Sequence, residues 1–216
     1  MKRITVLFIL TLIATTGLAK ADFTIGSAFG TLTTARTVGQ GKGNFLIGAG
    51  IADATSFFGQ FTFGMSTYTD GRLKLAIYDA DTDDLAVSFG ADFKWQFWNV
   101  KEGRRAPFDM ATGALFEFVD VNGFSAVQFG GHLIGSYPFA MRNGSTLSPY
   151  ARINIRLESK SFDTGPGFSG DNSNSDLEFG FNGGLKYDFS PTVAGFFEFQ
   201  LDGNDGIFFG IDFNIM

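Results

Sequence analysis

The only histidine of the chain, His132 in GGHLIGS, has Ser136 four residues further on. A serine within reach of an imidazole is the beginning of an acyl-transfer site. Four residues of extended chain, however, span about 13 Å, too far for direct proton transfer. His132 is therefore expected to be a hydrogen-bonded residue of a polar face, and no catalytic residue is assigned. In DADTDD, Asp79, Asp81 and Asp83 have the spacing of the first ligands of a calcium loop. That loop needs Gly at its sixth position and Glu at its twelfth, where this chain has Asp84 and Gly90. A solvated acidic loop is the expectation. GQGKGN around Lys42 lacks the spacing and the Ser/Thr of a phosphate-binding loop and is read as a flexible lead into the first strand. With no cysteine in the chain, a disulfide framework, a thiolate zinc site and a lipid-modified cysteine are all excluded. No metal and no cofactor is expected.

What remains is a larger constellation of charges recurring at alternate positions. Arg72, Lys74, Lys94, Arg152, Arg156 and Lys186 stand against Asp92, Glu117, Glu158, Glu178, Asp188 and Glu198. Channel linings that select ions use rings of one sign. A mixed set suits ion pairing across a confined interior, with Arg152 and Arg156 expected to meet Glu158, Glu178 or Glu198.

Those charges need strands to hold them on one face. In LAVSFGADFKWQF, Leu85, Val87, Phe89, Phe93, Trp95 and Phe97 oppose Ser88, Asp92, Lys94 and Gln96. ARINIRLE sets Ile153, Ile155 and Leu157 against Arg152, Asn154, Arg156 and Glu158, and LEFGFNGGLKYDF repeats the scheme. In the last of these Asn182, beside the oily Phe181, is expected to tolerate serine. At the end of the chain Phe197, Phe199, Ile207, Phe209, Ile211 and Phe213 line one side of a hairpin, with Glu198, Asp202 and Asp212 on the other. A period of two is the signature of strands, and nothing after residue 21 has helical periodicity. Alternation predicts ten strands at about 44–52, 58–67, 72–79, 85–97, 110–119, 124–136, 150–159, 177–189, 192–202 and 206–215, an even number as a closed single-chain barrel requires.

The start of the chain reads as a secretory signal peptide: Lys2 and Arg3, an apolar run from Ile4 to Ile13, then Ala19-Lys20-Ala21. Removal of residues 1–21 takes away three basic and no acidic residues, leaving 13 Lys and Arg against 22 Asp and Glu, a net charge of -9. Nucleic acid is an unsuitable partner for such a chain. The expected division is a signal peptide at 1–21, a lead segment at 22–43 (periplasmic lead, plug or extra strand) and a barrel at 44–216.

Alternating strands fit a soluble calyx with its oily face inward or a membrane barrel with its oily face outward. The amphipathic aromatics distinguish the two. Tyr68, Trp95, Trp98, Tyr137, Tyr150 and Tyr187 all fall at one end of their strands, with Tyr78 the exception, as an interfacial girdle requires. Gly48, Gly50, Gly64, Gly90, Gly130, Gly180, Gly184 and Gly210 share the polar face, which suits a narrow interior where long charged side chains need room.

In these patterns the chain resembles the small single-chain outer-membrane β-barrel proteins of Gram-negative bacteria over residues 44–216. GLKYDFSPTVAGFFEFQ is similar to a late strand, periplasmic turn and returning strand of such barrels, and FFGIDFNIM to their terminal strand. The resemblance implies residence in the bacterial outer membrane, contact with its lipids and lipopolysaccharide, and insertion by the outer-membrane assembly machinery. That machinery reads a last strand usually ending in an aromatic, whereas this chain ends in Met216, out of phase with Phe209 and Phe213. The expected protein is an all-β, closed, antiparallel up-and-down transmembrane barrel of about ten strands. It is expected to be no enzyme and to have a structural or interaction role with a charge-plugged lumen. The alternatives are a narrow channel for small solutes and a soluble periplasmic lipid-binding calyx.

Overall fold

A computed structural model of the chain describes residues 26–52, 55–79, 85–100, 107–121, 124–162 and 173–215. Residues 1–21, read above as a signal peptide, Asp81 and Asp83 of the acidic loop and Met216 lie outside these residues. In chain order the strands are β1 (Gly43–Ile51), β2 (Thr55–Gly64), β3 (Thr69–Asp79), β4 (Leu85–Trp98), β5 (Asp109–Val121), β6 (Phe124–Ser136), the two-residue β7 (Phe139–Ala140), β8 (Thr146–Phe162), β9 (Ser173–Asp188), β10 (Val193–Leu201) and β11 (Gly206–Asn214). Each long strand pairs antiparallel with its neighbours in sequence. β1 pairs with β11 through Ile47↔Ile211 and Gly48↔Gly210, so the ten long strands form a closed barrel. β7 adds only a short ribbon to the start of β8.

The end where β1 begins is called the near end here, and the opposite one the far end. Two strands outrun their sequence patterns. β8 and β9 continue past the apolar belt through pairs such as Lys160↔Asn174 and Ser161↔Ser173, polar residues that hydrophobic alternation cannot mark. β2 was expected at 58–67 and lies three residues earlier. Its alternation runs on through Met65, but the chain turns there, with Met65 N donating to Thr69 O at 2.9 Å.

The oily face is outward. Ile47, Leu75, Phe89, Phe129, Ile153 and Phe209 are exposed, while Lys74, Glu117, Gln128, Arg156, Glu158, Asn182 and Glu198 are buried inside. Tyr68, Trp95, Trp98 and Tyr137 stand exposed on the outer surface at the near end. Tyr150 is a correction to that girdle: it points into the lumen and is buried, its hydroxyl donating to Glu198 at 2.6 Å.

The lead segment is not a strand of the wall. Residues 26–38 run down the lumen from the far end to the near end, then turn at 39–42 into β1, where Gly64 N donates to Lys42 O at 2.8 Å. Ala28, Phe29, Thr31, Leu32 and Ala35 of this segment are buried. The core of the molecule is therefore the lumen, where Phe29 and Leu32 join Leu46, Phe58, Val119, Phe196 and Phe208. The Phe58 ring stands 6.3 Å from Phe29 and 6.2 Å from Phe208.

Inner glycines make room for these contents. A Cβ at Gly184 would run into the Tyr150 ring and hydroxyl, whereas one at the outward-facing Gly131 would meet only the Gly113 carbonyl, at 3.5 Å. Gly184→Val is thus expected to lower stability by about 1–3 kcal/mol through overpacking, and Gly131→Ala to be tolerated. Urea unfolding of the two variants, beside the parent, measures the contrast.

Candidate functional site: the occupied lumen

The barrel wall carries its charges in linked pairs. Arg72 Nε donates to Asp92 at 3.0 Å, and Lys74 Nζ lies 3.0 Å from Asp92 and 2.6 Å from Glu117. Lys94 is 3.2 Å from Asp70. Toward the far end Arg156 stands 3.8 Å from Glu158 and 3.3 Å from Asp202, and Lys160 3.0 Å from Glu158. Toward the near end Lys186 pairs with Asp188 at 2.9 Å. Arg72, Lys74, Asp92, Lys94, Glu117, Arg152, Arg156, Glu158 and Glu198 are all buried in the lumen, and Glu178, Lys186 and Asp188 are half-buried toward its mouths. Arg152 differs from its expected pairing. Its Nη1 donates to Thr31 Oγ1 of the lead segment at 2.9 Å.

That contact is one of a series. A chain inside a barrel has no neighbouring strand, so its backbone must be satisfied by side chains from the wall. Gln128 donates to Gly26 O at 2.9 Å, Gln200 and Asn204 to Ser27 O at 2.9 and 3.0 Å, and Gln60 to Phe29 O at 3.1 Å. Arg72 Nη1 donates to Thr31 O at 2.6 Å, and Lys94 to Thr34 O and Arg36 O at 3.0 and 2.7 Å. In the opposite sense, Ala35 N donates to Ser136 Oγ at 3.1 Å, Thr37 N to Gln96 at 3.2 Å and Val38 N to Asp70 at 3.2 Å. Arg36 Nε binds Asp109 at 2.6 Å.

Glu198 is the centre of this network. Its carboxylate accepts from Thr31 N at 2.6 Å, Leu32 N at 2.9 Å, Tyr150 Oη at 2.6 Å and Asn182 Nδ2 at 3.0 Å. Two successive backbone amides can aim at one carboxylate because the segment bends there through positive φ at Gly30 (61°) and Leu32 (39°). The second value is rare for a residue with a side chain. It is held in place by the carboxylate and by the surrounding apolar cluster.

Sequence reasoning placed the paired charges on the inner face but missed what they hold. It gave no role to Asp70, Asp109 and Arg36, which sit in or beside turns, and it ended the strand at 159, whereas Lys160 is inside β8. Phe58, Phe196 and Phe208 point inward on a face read as polar. Asn182 is another correction: it is fully buried and donates to both Glu198 and Gln200, so serine there is costly. His132 faces the lumen, but its ring nitrogens have no protein partner among the described residues. They border a cavity of about 10 Å³ beside Asp92 and Lys94. Ser136, on the same face, is engaged by the Ala35 amide. Among the described residues no group of three or more His, Cys, Asp and Glu is arranged to hold a metal.

No family model matches the sequence, and no curated protein does. Among solved structures the chain is similar to the N-terminal β-barrel domain of OprF from Pseudomonas aeruginosa, at 12% identity over 82% of this chain and 99% of that one, with a TM-score of 0.40. It is also similar to the KdgM porin, at 6% identity over 80% and 99% of the two chains, with a TM-score of 0.40. At these identities the likeness is one of fold alone.

Glu198→Ala would leave four donors without their acceptor. It is expected to cost about 3 kcal/mol or more, since each buried group left unsatisfied costs about 1–3 kcal/mol, and denaturant titration measures it. A second expectation concerns Asp202, in the far-end turn between β10 and β11. Burial pushes its carboxyl up to about 6, partly offset by Arg156. With the folded value raised, Asp202 contributes most to stability below about pH 4, and that contribution is lost as pH rises through about 6. Asp202→Asn is therefore expected to gain stability relative to the parent between pH 4 and pH 6.5, read as the difference between their denaturation midpoints.

Proposed function

We propose that the protein is an integral β-barrel of the bacterial outer membrane whose lumen is closed by its own N-terminal segment, and that its role is structural or one of interaction. The observation that carries this reading is the reversed distribution of side chains. Large apolar residues cover the outside of every long strand, and the buried interior holds the ion pairs and amides. A water-soluble calyx needs the opposite arrangement. In hydrocarbon the outward Phe, Ile and Leu are at home, and a closed barrel leaves no backbone edge unpaired. The aromatic residues at the near end support an interfacial position for that rim. Outer-membrane lipids and lipopolysaccharide are then the partners of the outer surface, and the assembly machinery the agent of its insertion.

The closed lumen favours a structural or interaction role over a standing channel. The segment fills the far half of the lumen, where Phe29, Thr31 and Phe208 are fully buried. Ile47 sits at the middle of β1, outward and 56% exposed. Ile47→Arg is expected to destabilise the barrel folded into lipid vesicles by about 2–4 kcal/mol, the cost of a cation at the bilayer midplane. A folding titration measures it. A cost near zero, or folding of the parent in buffer without lipid, would contradict the membrane reading.

A further inference from the structure

We infer that the near end of the lumen is a binding site for a small zwitterion, a free amino acid or short peptide, whose ammonium group meets Asp212 and whose carboxylate meets Lys42. The site is a cavity of about 570 Å³ beside residues 32–38, with Leu32, Leu46, Gln60 and Phe196 as its floor and Lys42 of the 39–42 turn on its lining. That volume lies within the range of small-molecule pockets, about 300–1,000 Å³. The cavity belongs to the lumen and does not depend on what surrounds the barrel.

The charges on its lining leave one of each sign over. Lys186 pairs with Asp188 at 2.9 Å, and Arg36 with Asp109 at 2.6 Å. Asp212 and Lys42 remain. Asp212 is only 4% exposed. Among the described residues its carboxylate has one donor, Asn44 Nδ2 at 2.6 Å, which reaches Oδ2 and leaves Oδ1 without a partner. Asn44 Oδ1 is unpartnered as well. The other buried carboxylates of the barrel are better served. Asp70, Asp92, Asp109, Glu117, Glu158 and Asp202 each lie against a cation, and Glu198 has its four donors. A buried carboxylate with neither is costly. An ammonium group, with three donors and no acceptor, can take Asp212 Oδ1 and Asn44 Oδ1 together.

Lys42 supplies the opposite pole. It is exposed and forms no ion pair among the described residues. Asp212 stands opposite Leu46 in the pairing of β1 with β11, and Lys42 precedes Leu46 by four residues, about 13 Å of extended chain. The two side chains cover part of that distance, and the ammonium and carboxylate of one ligand cover the rest. A simple cation would answer Asp212 and be repelled by Lys42, and a simple anion would meet the reverse. A zwitterion answers both. Leu32, Leu46 and Phe196 at the floor offer an apolar seat for its side chain, so a leucine-like amino acid fits better than a polar one.

The test is isothermal titration calorimetry of the refolded protein in nonionic detergent micelles with three probes: leucine, isoamylamine, which lacks its carboxylate, and isocaproate, which lacks its ammonium group. Folding of each sample is verified by β-sheet circular dichroism. Leucine is expected to bind at least tenfold more tightly than either partial analogue. Asp212→Asn is expected to weaken leucine at least tenfold and to leave isocaproate unchanged. Lys42→Gln, at an exposed position that folding does not need, is expected to weaken leucine at least threefold and to leave isoamylamine unchanged, and it serves alone if Asp212→Asn does not fold. A folded parent that takes up no leucine at millimolar concentration overturns the inference. So does equal binding of the three probes, or leucine binding that neither substitution changes.

Discussion

A polypeptide placed inside a barrel must find partners for its backbone without a sheet to supply them. Here the Glu198 carboxylate meets that constraint at the point where the segment bends, taking the amides of Thr31 and Leu32 together. The other inner side chains extend the same solution along the segment. Glutamines and an asparagine donate to its carbonyls at the far end, Arg72 and Lys94 in the middle, and Asp70 and Gln96 accept its amides near the 39–42 turn. A neutral inner wall would leave the segment's polar groups buried and unmet, at a cost of about 1–3 kcal/mol each.

The same constraint explains why the interior is neither an oily core nor an empty pore. Each buried cation is held by a carboxylate or by a group of the segment: Lys74 by Asp92 and Glu117, Arg152 by Thr31, Lys94 by Asp70 and the carbonyls of Thr34 and Arg36. Buried pairs of this kind add little stability relative to well-packed apolar residues, but removing one partner is costly. The aromatic cluster of Phe29, Phe58 and Phe208 supplies what the charges do not, a dry contact that fixes the segment along the axis.

Much of the barrel is visible in the sequence because outward-facing and inward-facing positions alternate with a strict period of two. Leu85 to Phe97 and Ala151 to Leu157 sit on the faces their spacing assigns, and the closed antiparallel barrel of ten long strands follows from the same pattern. The ends of β8 and β9 were hidden because polar residues pair as well as apolar ones once they are beyond the belt. The occupant of the lumen was hidden for a different reason. GSAFGTLTTARTVGQ has no alternation of its own, and its conformation is set by side chains from seven different strands and the far-end turn. Tyr150 misled in a similar way. At a strand end it reads as an interfacial ring, yet the space above Gly184 and the nearby Glu198 draw it inside.

Residues 26–38 occupy the lumen with Thr31 and Leu32 bound to Glu198, and the decisive measurement is amide hydrogen exchange of those two residues in the folded protein. The expected result is protection approaching that of the wall amides at Ile47 and Ile211, and its loss at Thr31 and Leu32 when Glu198 is replaced by alanine. Exchange of both amides at the rate of an unstructured peptide, in a barrel whose wall amides are protected, would contradict it.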